Sequence, residues 1–294
     1  MLTDLHITIL GGDARQIEII RKLTEMDATV TLVGFDHLDH GFAGATQKKM
    51  RELDLKEVDA IVLPVSGTSE NGEVETTFSK EKIFISEKML ESTPEHCVVY
   101  TGISNKFLDL CAKRAGRKVV KLFERDDVAI YNSIPTVEGT IMMAIENTDI
   151  TIHNSKTLVL GFGRTGMSVA RAFDALGAKV KVGTVKSADM ARISEMGLQP
   201  FHLNDLQQAV IDSDIIINTI PALVLKANII SKMPMNALII DLASKPGGTD
   251  FRYAEKRGIK ALLAPGLPGI VAPKTAGKII ANVLVQQLSE LNTS

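Results

Sequence analysis

The sequence predicts an α/β protein: two Rossmann-like, doubly wound parallel-sheet domains with an interdomain cleft. Three observations predict it. Apolar strand-like runs alternate with helical segments in both halves, the pattern of a parallel sheet covered on both faces. Residues 157–166, TLVLGFGRTG, run from a strand through Gly161-x-Gly163-x-x-Gly166 into a helical repeat. The chain has 294 residues, enough for two domains that each bury a core.

The first half opens with a strand at 5–10, then Gly11-Gly12-Asp13, then a helix whose Ile17, Ile20 and Leu23 face inward. A strand at 28–34 follows, and further strands are expected at 59–65, 97–102 and 118–123. The polar stretch 66–77 leaves the carboxyl end of a strand, where open α/β sheets place ligands. A connecting helix is expected over 133–150, with Val137, Ile141, Ala144 and Ile145 on one stripe. The second half, 151–273, carries strands at 157–160, 178–183, 198–202, 213–218, 237–242 and 259–263. A last helix from 274 has apolar Ile280, Val283, Leu284, Leu288 and Leu291. Its broad apolar surface is expected to pack between the halves or return to the first. The expected domains are thus 1–132, joined by 274–294, and 151–273.

A net charge of −2 and a pI near 6.3 give no electrostatic case for nucleic acid or an anionic membrane. The absence of tryptophan argues against stacking platforms for single strands. Two cysteines, Cys97 and Cys111, are too few for a disulfide scaffold and fit a reduced cytoplasm. Both lie in apolar or helical patterns, so buried thiols are the better reading over nucleophiles. The start, MLTDLHITIL, lacks signal-peptide features, and no apolar run approaches the ~20 residues that span a bilayer. His6, His37, His40, His96, His153 and His202 are scattered, and none is paired at metal spacing, so no metal is expected.

The glycine motif is the strongest functional signal. Gly161 permits a tight turn, Gly163 lets backbone approach a pyrophosphate, and Gly166 allows close helix–strand packing. With Phe162, Arg164 and Thr165 these residues form a candidate dinucleotide site on a helix N-terminus. The competing reading is a glycine turn in a non-binding βα unit. NAD binding calls for an acid about 20 residues on, to hold the ribose 2′-OH. That position instead falls in Gly183-Thr184-Val185-Lys186-Ser187, with Asp189 placed later in the next helix. Lys186 would attract a 2′-phosphate, and Thr184 and Ser187 would bond it, so NADP is expected first and NAD second. Lys186 as a solvated surface residue is the alternative.

Further candidates sit after strands. Thr219 and Pro221 follow one, Ser244 and Lys245 another, and Lys274 and Thr275 open the last helix. A surface lysine is the alternative for Lys245 and Lys274. In the first half, Gly12-Asp13-Ala14-Arg15 places an arginine at a helix start, suited to a carboxylate by dipole and fork. The alternative is Arg15 as a cap partner of Asp13 or Glu18. Ser66, Thr68, Ser69, Ser104, Asn105, Asn132 and Ser133 complete the set. No histidine stands out as a base, which hydride transfer from a carbinol normally needs. Oxidation driven by aromatisation needs one much less.

Three blocks are more specific than the glycine motif: GGDAR at 11–15, YNSIPTVEGTIMMAIENTDITIHNSK at 131–156, and DLASKPGGTDF with LAPGLPGIVAPKTAG across 241–277. Together they resemble the dipicolinate synthase A-subunit family along essentially the whole chain. More distantly, the layout resembles the 2-hydroxyacid dehydrogenases. The family resemblance implies oxidation of a dihydrodipicolinate-type intermediate of the lysine pathway to pyridine-2,6-dicarboxylate, during sporulation, in the mother-cell cytoplasm. It also implies a flavoprotein-like B-subunit of dipicolinate synthase and a hetero-oligomer. A dicarboxylate would then be clamped by Arg15 with Ser104, Asn105, Asn132, Ser133 and Lys274, and Glu138 or a water would assist any dehydration. Two alternatives remain beside this one: a nucleotide-binding regulatory or scaffold protein, and a 2-hydroxyacid-type dehydrogenase.

Overall fold

The computed structural model describes residues 1–38 and 41–291; His40 and the last three residues of the expected C-terminal helix lie outside them. The elements run β1 (His6–Leu10), α1 (Arg15–Glu25), β2 (Thr29–Val33), β3 (Ala45–Gln47), β4 (Ala60–Val62), β5 (Glu73–Val74) and β6 (Ile83–Phe84). Next come α2 (Glu87–Glu91), β7 (Val98–Thr101), α3 (Lys106–Arg114), β8 (Lys118–Lys121) and α4 (Asp126–Asn147). The second sheet begins with β9 (Lys156–Leu160), α5 (Arg164–Ala175), β10 (Lys179–Thr184), α6 (Ser187–Glu195), β11 (Gln199–His202), α7 (Leu206–Ala209) and β12 (Ile215–Asn218). It closes with α8 (Ala227–Ile230), β13 (Leu238–Asp241), α9 (Phe251–Lys256), β14 (Lys260–Leu263), α10 (Leu267–Val271) and α11 (Pro273–Leu291).

Two compact units result. Unit 1 joins Met1–Tyr131 to the segment from Ala272 onward, and unit 2 is Asn132–Val271. Each holds a six-stranded parallel sheet, in the order β3-β2-β1-β4-β7-β8 and β11-β10-β9-β12-β13-β14. Both orders reverse direction beside the first strand, which creates a topological switch point at the carboxyl ends. The inner strands are apolar runs buried along most of their length, as IIIN and LIID in β12 and β13 show. That is what a sheet covered on both faces requires.

The fourth helix corrects the expected boundary. It starts at Asp126, not Ser133, because Asp127 accepts the Val128 N–H at 2.9 Å and is gripped by Arg125 at 2.7 and 3.0 Å. Residues expected as a connector belong to unit 2, where Val137 and Ala144 join its core and Gly139 lies against Leu267. The sequence reading also missed β3 and the β5–β6 hairpin, which are two or three residues long and carry no periodicity.

In unit 1, α11 packs on α1. Ile280, Ala281, Leu284 and Leu288 share one core cluster with Ile19, Ile20 and Leu23. A Cβ on Gly277 would come within 2.5 Å of the Arg15 carbonyl oxygen, so the helices approach closely there. Truncating buried Leu284 to alanine should cost about 2–5 kcal/mol.

Candidate functional site

The glycine turn of unit 2 divides its tasks among three residues. Gly161 has φ +94°, and a Cβ there would meet the Thr219 hydroxyl at 2.5 Å. That hydroxyl donates to the Leu160 carbonyl at 2.8 Å, which pins the turn to the end of β12. A Cβ on Gly166 would collide with the Gly161 carbonyl oxygen, so α5 reaches the strand only with glycine there. Gly163 differs, because nothing lies within 4 Å of where its Cβ would stand. It is also the N-cap of α5, and no side chain caps that helix. The result is open backbone beside a helix N-terminus with a partial positive charge, which fits a pyrophosphate. Arg164 is exposed and Thr165 half-buried on the first turn. The Phe162 side chain packs in the unit 2 core and supports the turn from there.

At the end of β10, Lys186 and Ser187 are exposed, but Thr184 is engaged within the unit. It is buried, its hydroxyl donates to Asp189 at 3.1 Å, and it accepts the Lys186 N–H at 3.2 Å. The first turn of α6 therefore brings a carboxylate back beside the strand end, although the β10 tip itself holds no acid.

Thr219 is half-buried and Pro221 exposed after β12; Ser244 and Lys245 are exposed after β13. Two residues that sequence reasoning missed organise these loops. Asn218 and Asp241 end adjacent strands in register and are both fully buried. The signal was a polar residue closing each of two otherwise apolar strands.

In unit 1 the glycine turn is filled from within. Asp13 accepts the Arg15 backbone N–H at 2.9 Å and the Arg15 guanidinium at 2.6, 2.9 and 3.1 Å. Asp13 thus partners the Arg15 guanidinium from within the turn. Glu18 pairs with Arg21 instead. Gly12 donates to the Glu75 carbonyl at 2.7 Å and accepts from Thr77 at 3.0 Å, so its backbone clips the segment after β5. Ser104 donates to Asp109 at 2.7 Å, and Asn105 caps α3 while donating to the Thr68 carbonyl. Burial raises the Asp109 carboxyl, but bonds from Ser104 and Lys121 outweigh it and hold it below its ordinary value. Both residues thus shape the loop before α3.

The remaining candidates differ in exposure. Ser66, Thr68, Ser69, Glu73 and Glu75 line an open cleft of about 480 Å³, where Ser66 donates to Glu75 at 3.2 Å. Lys274 and Thr275 are exposed on the first turn of α11, and Glu138 is exposed on α4. Ser133 is buried and hydrogen-bonded to Ser168 at 2.8 Å. The buried Asn132 Oδ1 has no hydrogen-bond partner among the described residues.

Two histidines serve locally: His96 bonds Asp59 at 2.7 Å, and His202 accepts the Asn204 N–H. Both cysteines are buried; burial pushes the Cys97 thiol up to about 11 despite a bond to Thr93. Among the described residues no group of histidine, cysteine and acidic side chains is arranged to hold a metal, and no helix is long and apolar enough to cross a membrane.

Comparison with known proteins extends this geometry. Residues 6–123 match the family of dipicolinate synthase A-subunit N-terminal domains, and residues 129–294 match the family "Alanine dehydrogenase/PNT, C-terminal domain". The chain is 61% identical to the dipicolinate synthase A-subunit of Bacillus subtilis, over 99% of this chain and 98% of that protein. It is 64% identical to the crystal structure of the dipicolinate synthase A-subunit from Bacillus halodurans, with a TM-score of 0.96 over 98% of this chain and 99% of that one. A transhydrogenase from Sinorhizobium meliloti shares the fold at 15% identity, with a TM-score of 0.68 over 97% and 95% of the two chains. The chain therefore belongs to the dipicolinate synthase A-subunit family, and its second unit is a dehydrogenase domain of the alanine dehydrogenase/PNT type, the nicotinamide-dinucleotide class.

Proposed function

We propose that the chain oxidises a dihydrodipicolinate-type intermediate of the lysine pathway to pyridine-2,6-dicarboxylate with NADP. The single observation that carries this reading is the open backbone at Gly163 on the uncapped start of α5, in a chain so similar to the A-subunit of dipicolinate synthase. A bound nicotinamide supplies the hydride acceptor. The dihydro ring loses one hydride and one proton as it becomes aromatic, and aromaticity provides the driving force without a strongly tuned base.

The chain's own residues bind and orient. Gly161, Gly163, Arg164, Thr165 and Gly166 hold the pyrophosphate on the α5 N-terminus. Lys186 and Ser187 favour a 2′-phosphate, whereas Asp189, held by Thr184, opposes one. On the substrate side, Lys274 and Thr275 at the first turn of α11 offer a cation and a hydroxyl to a carboxylate. Ser66 is a further polar contact, and Glu138 assists if a 4-hydroxyl must leave as water. A flavoprotein-like B-subunit completes a hetero-oligomer, which works in the mother-cell cytoplasm of a sporulating bacterium.

A second reading, a dinucleotide-binding regulatory protein with turnover in the partner, is favoured by the closed Asp13–Arg15 pair. One assay separates them: nicotinamide reduction on freshly generated dihydrodipicolinate, with the purified chain, with and without the B-subunit, using NADP and NAD in turn. Pyridine dicarboxylate formed by this chain alone is the expected result. Turnover that appears only with the B-subunit present would move the reaction out of this chain's sole charge.

A further inference from the structure

β12 and β13 end side by side on Asn218 and Asp241, and neither side chain is exposed at all. Resting on the dinucleotide reading above, we propose that Asp241 is a positioning residue for the nicotinamide half of the cofactor. Its carboxylate accepts four hydrogen bonds. Oδ1 takes them from Asn218 Nδ2 at 3.0 Å and the Ala243 N–H at 3.1 Å; Oδ2 takes them from the Gly248 N–H at 2.8 Å and the Thr249 hydroxyl at 2.6 Å. All four donors are neutral. A buried carboxylate tolerates such surroundings only while its lone pairs are filled, so the chain from 243 to 249 must close over it.

The closure reaches further. The Gly248 carbonyl accepts the Val224 and Leu225 N–H groups at 3.0 and 2.9 Å, tying this loop to the one that follows β12. A Cβ on Gly248 would come within 2.5 Å of both Asn218 Nδ2 and the Ala222 carbonyl oxygen. Asn218 in turn accepts the Ile220 N–H at 3.1 Å and donates to the Ile220 carbonyl at the same distance. One buried pair thereby sets the shape of both loops.

Those loops stand on one side of the switch point between β9 and β12. In this strand order each side of the switch takes one mononucleotide of a dinucleotide. The β10 side carries Lys186 and Ser187 for the adenosine half. The β12–β13 side, shaped by Asp241, is left for the nicotinamide half. Loosening Asp241 should therefore weaken the whole dinucleotide and spare its adenosine fragment.

Asp241→Asn keeps the shape but turns one oxygen into a donor, which strands a backbone N–H of Ala243 or Gly248. The experiment is titration calorimetry of the full chain with NADP⁺ and with adenosine 2′,5′-bisphosphate, which lacks the nicotinamide half. Asp241→Asn should weaken NADP⁺ at least about tenfold and the bisphosphate less than about twofold. Thr249→Val, which removes only a side-chain donor, should show the same split at about threefold, and Thr249→Ser should behave as wild type. If Asp241→Asn fails to fold, the Thr249 pair carries the comparison. Equal losses for the two ligands, or an unchanged NADP⁺ affinity in folded variants, would overturn the inference. Wild-type chain that binds neither ligand, and not NAD⁺ either, would instead overturn the dinucleotide reading beneath it.

Discussion

The two units share a strand order and a glycine turn after the central strand, yet they treat the helix N-terminus in opposite ways. In unit 2 the turn leaves Gly163 bare and α5 uncapped. In unit 1 the Asp13 carboxylate sits at the start of α1, and the segment after β5 hydrogen-bonds both sides of Gly12. The same topology thus yields one open helix N-terminus and one that the chain fills itself. A glycine turn creates backbone donors; whether a ligand meets them depends on what else in the fold claims them.

The largest expected effects break the comparison at its glycines. Gly166→Val in unit 2 forces a side chain into the Gly161 carbonyl and should weaken dinucleotide binding at least about 100-fold, or about 2.7 kcal/mol. Gly12→Ala in unit 1 places a Cβ against the Gln16 side chain at φ +114°. It should lower thermal stability while folded protein keeps its dinucleotide affinity. Calorimetric titration beside thermal melts reads both, and loss of cofactor binding in the Gly12 variant would erase the distinction between the units.

The Asp13–Arg15 pair comes next. Removing either partner leaves the other charge part-buried, so each single alanine variant should cost about 1–3 kcal/mol of stability. The double variant should cost less than the sum, because neither charge is then stranded. Substrate KM should stay close to wild type in Arg15→Ala. A large rise in KM with unchanged melting would show that unit 1, too, keeps an open anion site.

A smaller effect probes the open site itself. Lys186→Ala should weaken NADP⁺ about tenfold and leave NAD⁺ unaffected, as loss of one charge-assisted contact. Asp189→Asn should act in the opposite direction by removing a carboxylate near the 2′-phosphate. Dissociation constants for both cofactors check the pair, and an unchanged preference in Lys186→Ala would return that residue to the solvated surface.

The difference between the units was only half legible in sequence. TLVLGFGRTG announced an open turn because glycine spacing is local and its consequences, a positive φ and a close helix, are local too. GGDAR looked like a second anion site for the same local reason. What closed it were contacts across sequence: Gly12 with Glu75 and Thr77, on a hairpin too short to show a period. The inward bond of Thr184 was hidden for a similar reason, since helix α6 returns Asp189 to it. Asn218 and Asp241 escaped notice because a single polar residue at a strand end is ordinary until its partner on the next strand is known.

The smallest effect concerns the loop before α3, where unit 1 again turns polar groups inward. The Asp109 carboxyl is held below its ordinary value by Ser104 and Lys121, against the raising effect of burial. A carboxyl depressed in the folded state adds stability above its unfolded pKa, and that stability fades as pH falls through the folded value. Ser104→Ala should therefore lower stability slightly near neutrality and not at all in strong acid. Asp109 is substantially exposed, so the difference should stay below about 0.5 kcal/mol. Urea melts of both proteins at neutral and acid pH, with NMR titration of the Asp109 carboxyl, measure it. If Ser104→Ala leaves that titration unmoved and instead raises substrate KM, the hydroxyl faces a ligand, and unit 1 holds an open polar site after all.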